Sequence, residues 1–166
     1  KNILIIATKL AVAQNFIRKV KTYIKSMPKW LLVPVITANN KQQVEFSNGS
    51  QIKAVPTSED AGRSEALSLL IVDEAAFVRN FDELWMGLYP TLSTGGRAIL
   101  LSTPNGVGGQ YHEIYTKAIR KENEFNAIKL MWDVHPERDD EWFNRETKNM
   151  SKKQVAQELL CDFASS

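Results

Sequence analysis

Apolar positions along the chain change period several times, and each change predicts an element. Ile3 to Ala7 is a short, continuous apolar run rich in β-branched residues, the pattern of a strand buried on both faces. Leu10, Ala13, Ile17, Val20 and Ile24 then recur at helical spacing, with Arg18, Lys19, Lys21 and Lys25 largely off that stripe, until Pro28 stops the pattern. Residues 43–55 alternate loosely through Val44, Phe46, Ile52 and Ala54 around the turn dipeptide Asn48 and Gly49, which predicts a hairpin. Leu67 to Val72 predicts a second buried strand ending in Asp73 and Glu74, followed by a helix over Phe81 to Leu88. Ala98 to Leu101 predicts a third strand, running into Ser102, Thr103 and Pro104. After the glycine-rich turn Gly106 to Gly109, Tyr111, Ile114, Tyr115 and Ala118 form another helical stripe. Phe125 to Trp132 predicts a fourth strand, and Asp139 to Leu160 two short helices.

Strands alternating with helices predict an α/β fold, a three-layer domain with a mainly parallel sheet and an inserted hairpin. In such sheets ligands meet the C-terminal ends of the strands. Thr8, Asp73 with Glu74, and Ser102 with Thr103 all fall at such ends.

Composition narrows the picture. A length of 166 residues with 43% hydrophobic content supports one core and is short for two ordinary domains. The sequence runs from Lys1 straight into the first strand, so we expect a fragment of a longer chain. No segment has the length of a bilayer span or the flanks of a signal peptide, and no membrane partner is expected. Cys161 is the sole cysteine, which excludes an internal disulfide, speaks against a thiolate metal cluster and fits a reducing cytoplasm. Net charge is +2, yet residues 1–44 hold eight of the 21 Lys and Arg and none of the 19 Asp and Glu. That portion is either a solvated helix face or a surface for phosphate backbones.

The sharpest chemical signal is the hydrophobic strand that delivers Asp73 and Glu74 to a sheet edge. By itself such a pair is equally a solvent-exposed strand end. Its chemistry nevertheless suits nucleotide hydrolysis. Mg²⁺ is a hard ion that keeps waters, so one carboxylate near the phosphates suffices to hold it. A second carboxylate one residue on orients the attacking water. Ser102 and Thr103 are ordinary turn formers in isolation, but at a neighbouring strand end their hydroxyls are placed to sense a γ-phosphate. His112 and His135 have no second metal ligand at useful spacing, and Asp162 stands alone. The four tryptophans are dispersed, as for core packing or interfaces, and Asn48-Gly49-Ser50 reads as a turn rather than a glycosylation site.

Taken together, LSLLIVDEAAF (67–77), TLSTGG (91–96) and LLSTPNG (100–106) resemble the large terminase subunit of tailed bacteriophages, a DNA-packaging motor. SNGSQI (47–52), PTSEDAGR (56–63), WDVHPER (132–138) and QELLCDF (157–163) follow the same family's order, so the resemblance covers nearly the whole chain. It implies a P-loop NTPase domain of the additional-strand, catalytic-glutamate type that hydrolyses ATP with Mg²⁺ and is joined to a nuclease. Residues 1–163 would then be a partial ATPase domain, and 164–166 the start of a linker. The implied partners are double-stranded DNA, a portal protein, a small terminase subunit and further copies in a ring, in the cytoplasm of the bacterial host.

Position by position, the resemblance makes Asp73 the Walker B aspartate and Glu74 the catalytic glutamate. Ser102 and Thr103 match the coupling motif that ties hydrolysis to movement, and Arg63 lies where some members carry an arginine finger. The departure is the absence of G-x-x-x-x-G-K-[ST], the backbone cradle for phosphates. With the phosphate loop lacking, this chain alone is expected to be inactive. Ile5 to Gln14 (IIATKLAVAQ) also resembles a motif of superfamily 2 helicases, which leaves a helicase-type translocase as an alternative. A degenerate DNA-binding or assembly module without turnover is another.

Overall fold

The computed structural model describes residues 1–31, 34–57 and 66–166. These form two compact units, Lys1–Leu101 and Ser102–Ser166.

The first unit is a six-stranded sheet in the order β2-β3-β4-β1-β5-β6. Its strands are β1 (Asn2–Ala7), β2 (Ile36–Asn39), β3 (Gln43–Phe46), β4 (Gln51–Pro56), β5 (Leu69–Asp73) and β6 (Arg97–Leu101). β1 runs parallel to both β4 and β5, and β5 parallel to β6, while β2, β3 and β4 are antiparallel neighbours. The expected mainly parallel α/β sheet with its hairpin is therefore present. β1 lies inside the sheet, and Leu4, Ile5, Ile6 and Ala7 are all buried, as its unbroken apolar run requires.

Side-chain alternation divides the sheet into two faces. Helix α1 (Leu10–Ser26) covers one face with Ala13 and Ile17, which pack with Ile5, Ala7, Val44 and Ala54. Val12, Phe16, Ile24 and Ile71 border that cluster. Each fully buried aliphatic side chain contributes about 1.5–3 kcal/mol of transfer free energy, so this seam holds α1 far more firmly than its helix propensity does. On the opposite side Leu4, Ile6, Leu70 and Val72 are buried, and α2 (Phe81–Leu88) supplies buried Phe81, Leu84, Trp85 and Leu88 to the same unit. The chain returns toward β6 through a tight crossing. A Cβ on Gly96 would lie 2.2 Å from the Leu67 carbonyl oxygen, so only glycine fits there.

The second unit holds α3 (Gly109–Ile119), α4 (Asp140–Thr147) and α5 (Lys152–Glu158). Trp132 stacks on Trp142 at 6.1 Å and meets Phe143 at 4.6 Å, while the Arg138 guanidinium lies 4.6 Å above the Trp142 ring. Asp139 caps α4 through the Trp142 amide, and Ser151 with Gln154 forms a capping box on α5.

Two elements differ from expectation. The strand expected over Phe125 to Trp132 does not form: residues 125–131 have no regular structure, and Trp132–Val134 is a 3₁₀ turn. A strand exists only with a hydrogen-bonded neighbour, and none of the described strands pairs with this segment, which leaves Ile128 and Leu130 exposed. Conversely β2 was not expected. Only four residues long, it is defined by its pairing with β3.

Candidate active site

Parallel pairing brings the C-terminal ends of β1, β4, β5 and β6 to one edge. Ile6 pairs with Val72, Val72 with Leu100, and Asp73 with Leu101. Asp73 continues the alternation of Ile71 and so lies on the α1 face of the sheet. It is half-buried. Burial pushes its carboxyl above the usual range, while the Glu74 backbone N–H donating to it and the nearby Lys19 cation pull it back. Lys19 was missed as a neighbour of this site. It sits 54 positions away in sequence, and only the packing of α1 over the sheet brings its charge to bear.

Glu74 follows the strand directly and lies in the left-handed region, at φ 53 and ψ 43. Its carbonyl accepts the Phe77 N–H at 2.8 Å, opening the 3₁₀ turn Ala75–Phe77. A glutamate held in this conformation carries about 1–2 kcal/mol of backbone strain. Such strain in a non-glycine residue is characteristic of positions whose side chain is needed where it is. The turn also separates the two carboxylates, with Asp73 ending the strand's alternation and Glu74 placed on the bend.

Ser102 and Thr103 follow the last residue of β6 directly, begin the second unit and are both half-buried. Leu101, just before them, is the register partner of Asp73. Arg63 lies outside the described residues. His112 accepts the Gly108 N–H at 3.3 Å and meets the Phe163 ring at 4.9 Å, a packing role. Asp162 is held below its ordinary range first by the Ser165 hydroxyl and then by the Ala164 N–H, which makes it the cap of the closing turn. Among the described residues no three His, Cys, Asp or Glu side chains gather as a metal cluster. Asp73 is a single hard oxygen donor at the strand edge, which fits an ion such as Mg²⁺ that takes few protein ligands. Residues for a phosphate cradle are absent from the 166 positions.

A mostly parallel, mixed α/β domain with adjacent carboxylates at its strand edge is the class that fold and site define. Residues 1–166, the whole chain, match the family described as "Terminase large subunit, T4likevirus-type, N-terminal", and the chain belongs to that family. The ATPase domain of the large terminase of Thermus phage P74-26 has the same fold, with a TM-score of 0.75 at 20% identity over 99% of this chain and 77% of that one. A large terminase from a thermophilic bacteriophage, solved in complex with ADP, gives 0.75 at 12% identity, over 99% of this chain and 40% of that one. The HK97 bacteriophage large terminase gives 0.62 at 15%, over 94% and 32% respectively. Family membership takes precedence over the helicase-type alternative.

Proposed function

We propose that this chain is part of the ATP-hydrolysing motor domain of a phage terminase large subunit, which drives double-stranded DNA into procapsids in the host cytoplasm. The observation that carries the reading is the Asp73–Glu74 pair at the strand edge, with Glu74 held in a strained bend. Bound Mg²⁺ would neutralise charge developing on the transferred phosphoryl group. Asp73 would hold that ion through a water, in keeping with its half-buried carboxylate. Glu74 would accept a hydrogen bond from the attacking water and orient it. Ser102 and Thr103 would report the state of the nucleotide from the end of β6, and Arg63 would act as a finger on a neighbouring subunit's nucleotide.

No phosphate cradle occurs among these 166 residues, so we infer that they alone do not turn ATP over. The open side of the sheet supports this. Ile99 and Leu101 share the Asp73 face by register, yet are 48% and 41% exposed, because α1 packs chiefly on β1, β3 and β4. A nuclease domain, a portal protein, a small terminase subunit and a ring of copies complete the proposed assembly. Among the described residues no helix is long and apolar enough to cross a membrane.

The test is Glu74→Gln in the full-length protein. Nucleotide and metal binding should persist while ATP turnover falls by about 10² or more, the usual loss for a positioned base. Unchanged turnover would remove Glu74 from the chemistry, whereas no turnover in the unsubstituted full-length protein would favour a non-hydrolysing DNA-binding or assembly module.

A further inference from the structure

We propose that the exposed apolar patch at the C-terminal end of α1, formed by Tyr23, Met27, Trp30 and Leu31, is a docking surface for an acidic amphipathic helix of a partner protein. The tryptophans divide by environment. Trp85 is buried and Trp132 stacks on Trp142, whereas Trp30 is 79% exposed. Its place is set by local hydrogen bonds. The Met27 N–H donates to the Tyr23 carbonyl at 3.1 Å, which closes the helix, and Pro28 has no N–H with which to continue it. The Leu31 N–H then donates to the Pro28 carbonyl at 2.9 Å, so Trp30 is the third residue of a tight turn. Tyr23, 70% exposed, stands one turn of helix before Met27. Every residue from Lys25 to Leu31 is exposed, and an apolar cluster with two aromatic side chains left in water marks an interaction surface.

Charge selects the occupant. Lys25 and Lys29 alternate with the apolar residues, and residues 1–44 contain no acid. The first acid, Glu45, accepts a hydrogen bond from the Gln43 side chain. The ion pairs among the described residues, Lys117 with Glu113 and Arg145 with Glu146, involve neither lysine. Cations around an apolar centre attract carboxylates and reject basic competitors. A phosphate backbone would engage the lysines, but it offers no apolar surface to Met27 and Leu31. A lipid surface calls for a long free apolar face, and that of α1 is already buried through Ala13 and Ile17. A helix with apolar anchors one turn apart and carboxylates beside them satisfies both halves of the patch. This docking goes beyond the proposed ATPase chemistry and needs neither Asp73 nor Glu74.

The experiment uses the full-length protein and a labelled peptide of about 18 residues, long enough to hold a helix, with leucine on one face and glutamate on the other. Anisotropy should show it binding at least about ten times more tightly than a twin carrying lysine in place of glutamate. Trp30→Ala should weaken binding about tenfold or more, as for an aromatic anchor at the centre of an interface. Lys25→Glu combined with Lys29→Glu should weaken it by about as much. Met86→Ser, on α2 and 67% exposed, should bind as the unsubstituted protein does. Tyr23→Ser, expected to weaken binding about threefold, serves if Trp30→Ala does not fold. No binding, equal binding of the lysine twin, unchanged affinity in the Trp30 and Tyr23 variants, or a matching loss in Met86→Ser would overturn the docking. So would a random-sequence duplex, or vesicles containing phosphatidylserine, bound in the peptide's place and lost on Trp30→Ala.

Discussion

At the scale of single residues, Asp73 and Glu74 each cost the fold stability, one through burial and the other through its backbone. The Asp73 carboxyl is raised by burial above its ordinary value of 3.8. A carboxyl whose folded pKa exceeds its unfolded pKa binds its proton more tightly in the folded state, so the folded protein gives up stability as pH rises through the folded value. Asp73→Asn should therefore raise the melting temperature at pH 7, and the gain should shrink toward zero below pH 3.8, where both states are already protonated. Calorimetry across that range checks it; a variant that melts lower at pH 7 would contradict the burial argument. Glu74 stores strain in its left-handed backbone. Glu74→Gly should relieve about 1–2 kcal/mol and return part of it through the freer unfolded chain, for a net gain near 0.5–1 kcal/mol. Chemical denaturation reads the gain, and turnover of the full-length protein should be lost with it.

At the scale of elements, close approach decides more than propensity does. The connection from α2 to β6 passes so near Leu67 and Leu92 that an added methyl at Gly96 meets backbone at 2.2 and 3.1 Å. The Gly96 amide also donates to the Leu92 carbonyl at 2.9 Å, so the turn cannot shift without losing a hydrogen bond. Gly96→Ala is expected to destabilise the first unit by about 1–3 kcal/mol, the range for forced overpacking. An urea midpoint equal to wild type would show that the turn yields. Much of this level was legible beforehand. β1, α1, the β3–β4 hairpin, β5, α2, β6 and both tail helices fall where apolar periodicity put them, because each buries a face that its own sequence writes.

At the scale of the whole molecule, the sheet is closed on one side and open on the other. β2 and β6 are its edges, and β6 exposes Ile99 and Leu101 toward the uncovered half of the α1 face. An unpaired parallel edge flanked by exposed aliphatic side chains is a template for self-association. A preparation of residues 1–166 alone should self-associate at micromolar concentration, and Ile99→Lys with Leu101→Lys should return it to monomer, as read by light scattering during gel filtration. Equal behaviour of the two would mean that this face is not what drives association.

The sequence by itself determined the alternation of strands and helices, the carboxylate pair at the end of β5 and the excess of positive charge before Glu45. Burying a strand on both faces demands an unbroken apolar run, and delivering chemistry to its end demands polar residues just beyond. Only the tertiary structure decided which segments became strands through pairing, adding Ile36–Asn39 and leaving 125–131 without regular structure. It alone bent Glu74 into the left-handed region and brought the charge of Lys19 to bear on Asp73. Those outcomes depend on neighbours far along the chain, and local periodicity carries no record of them.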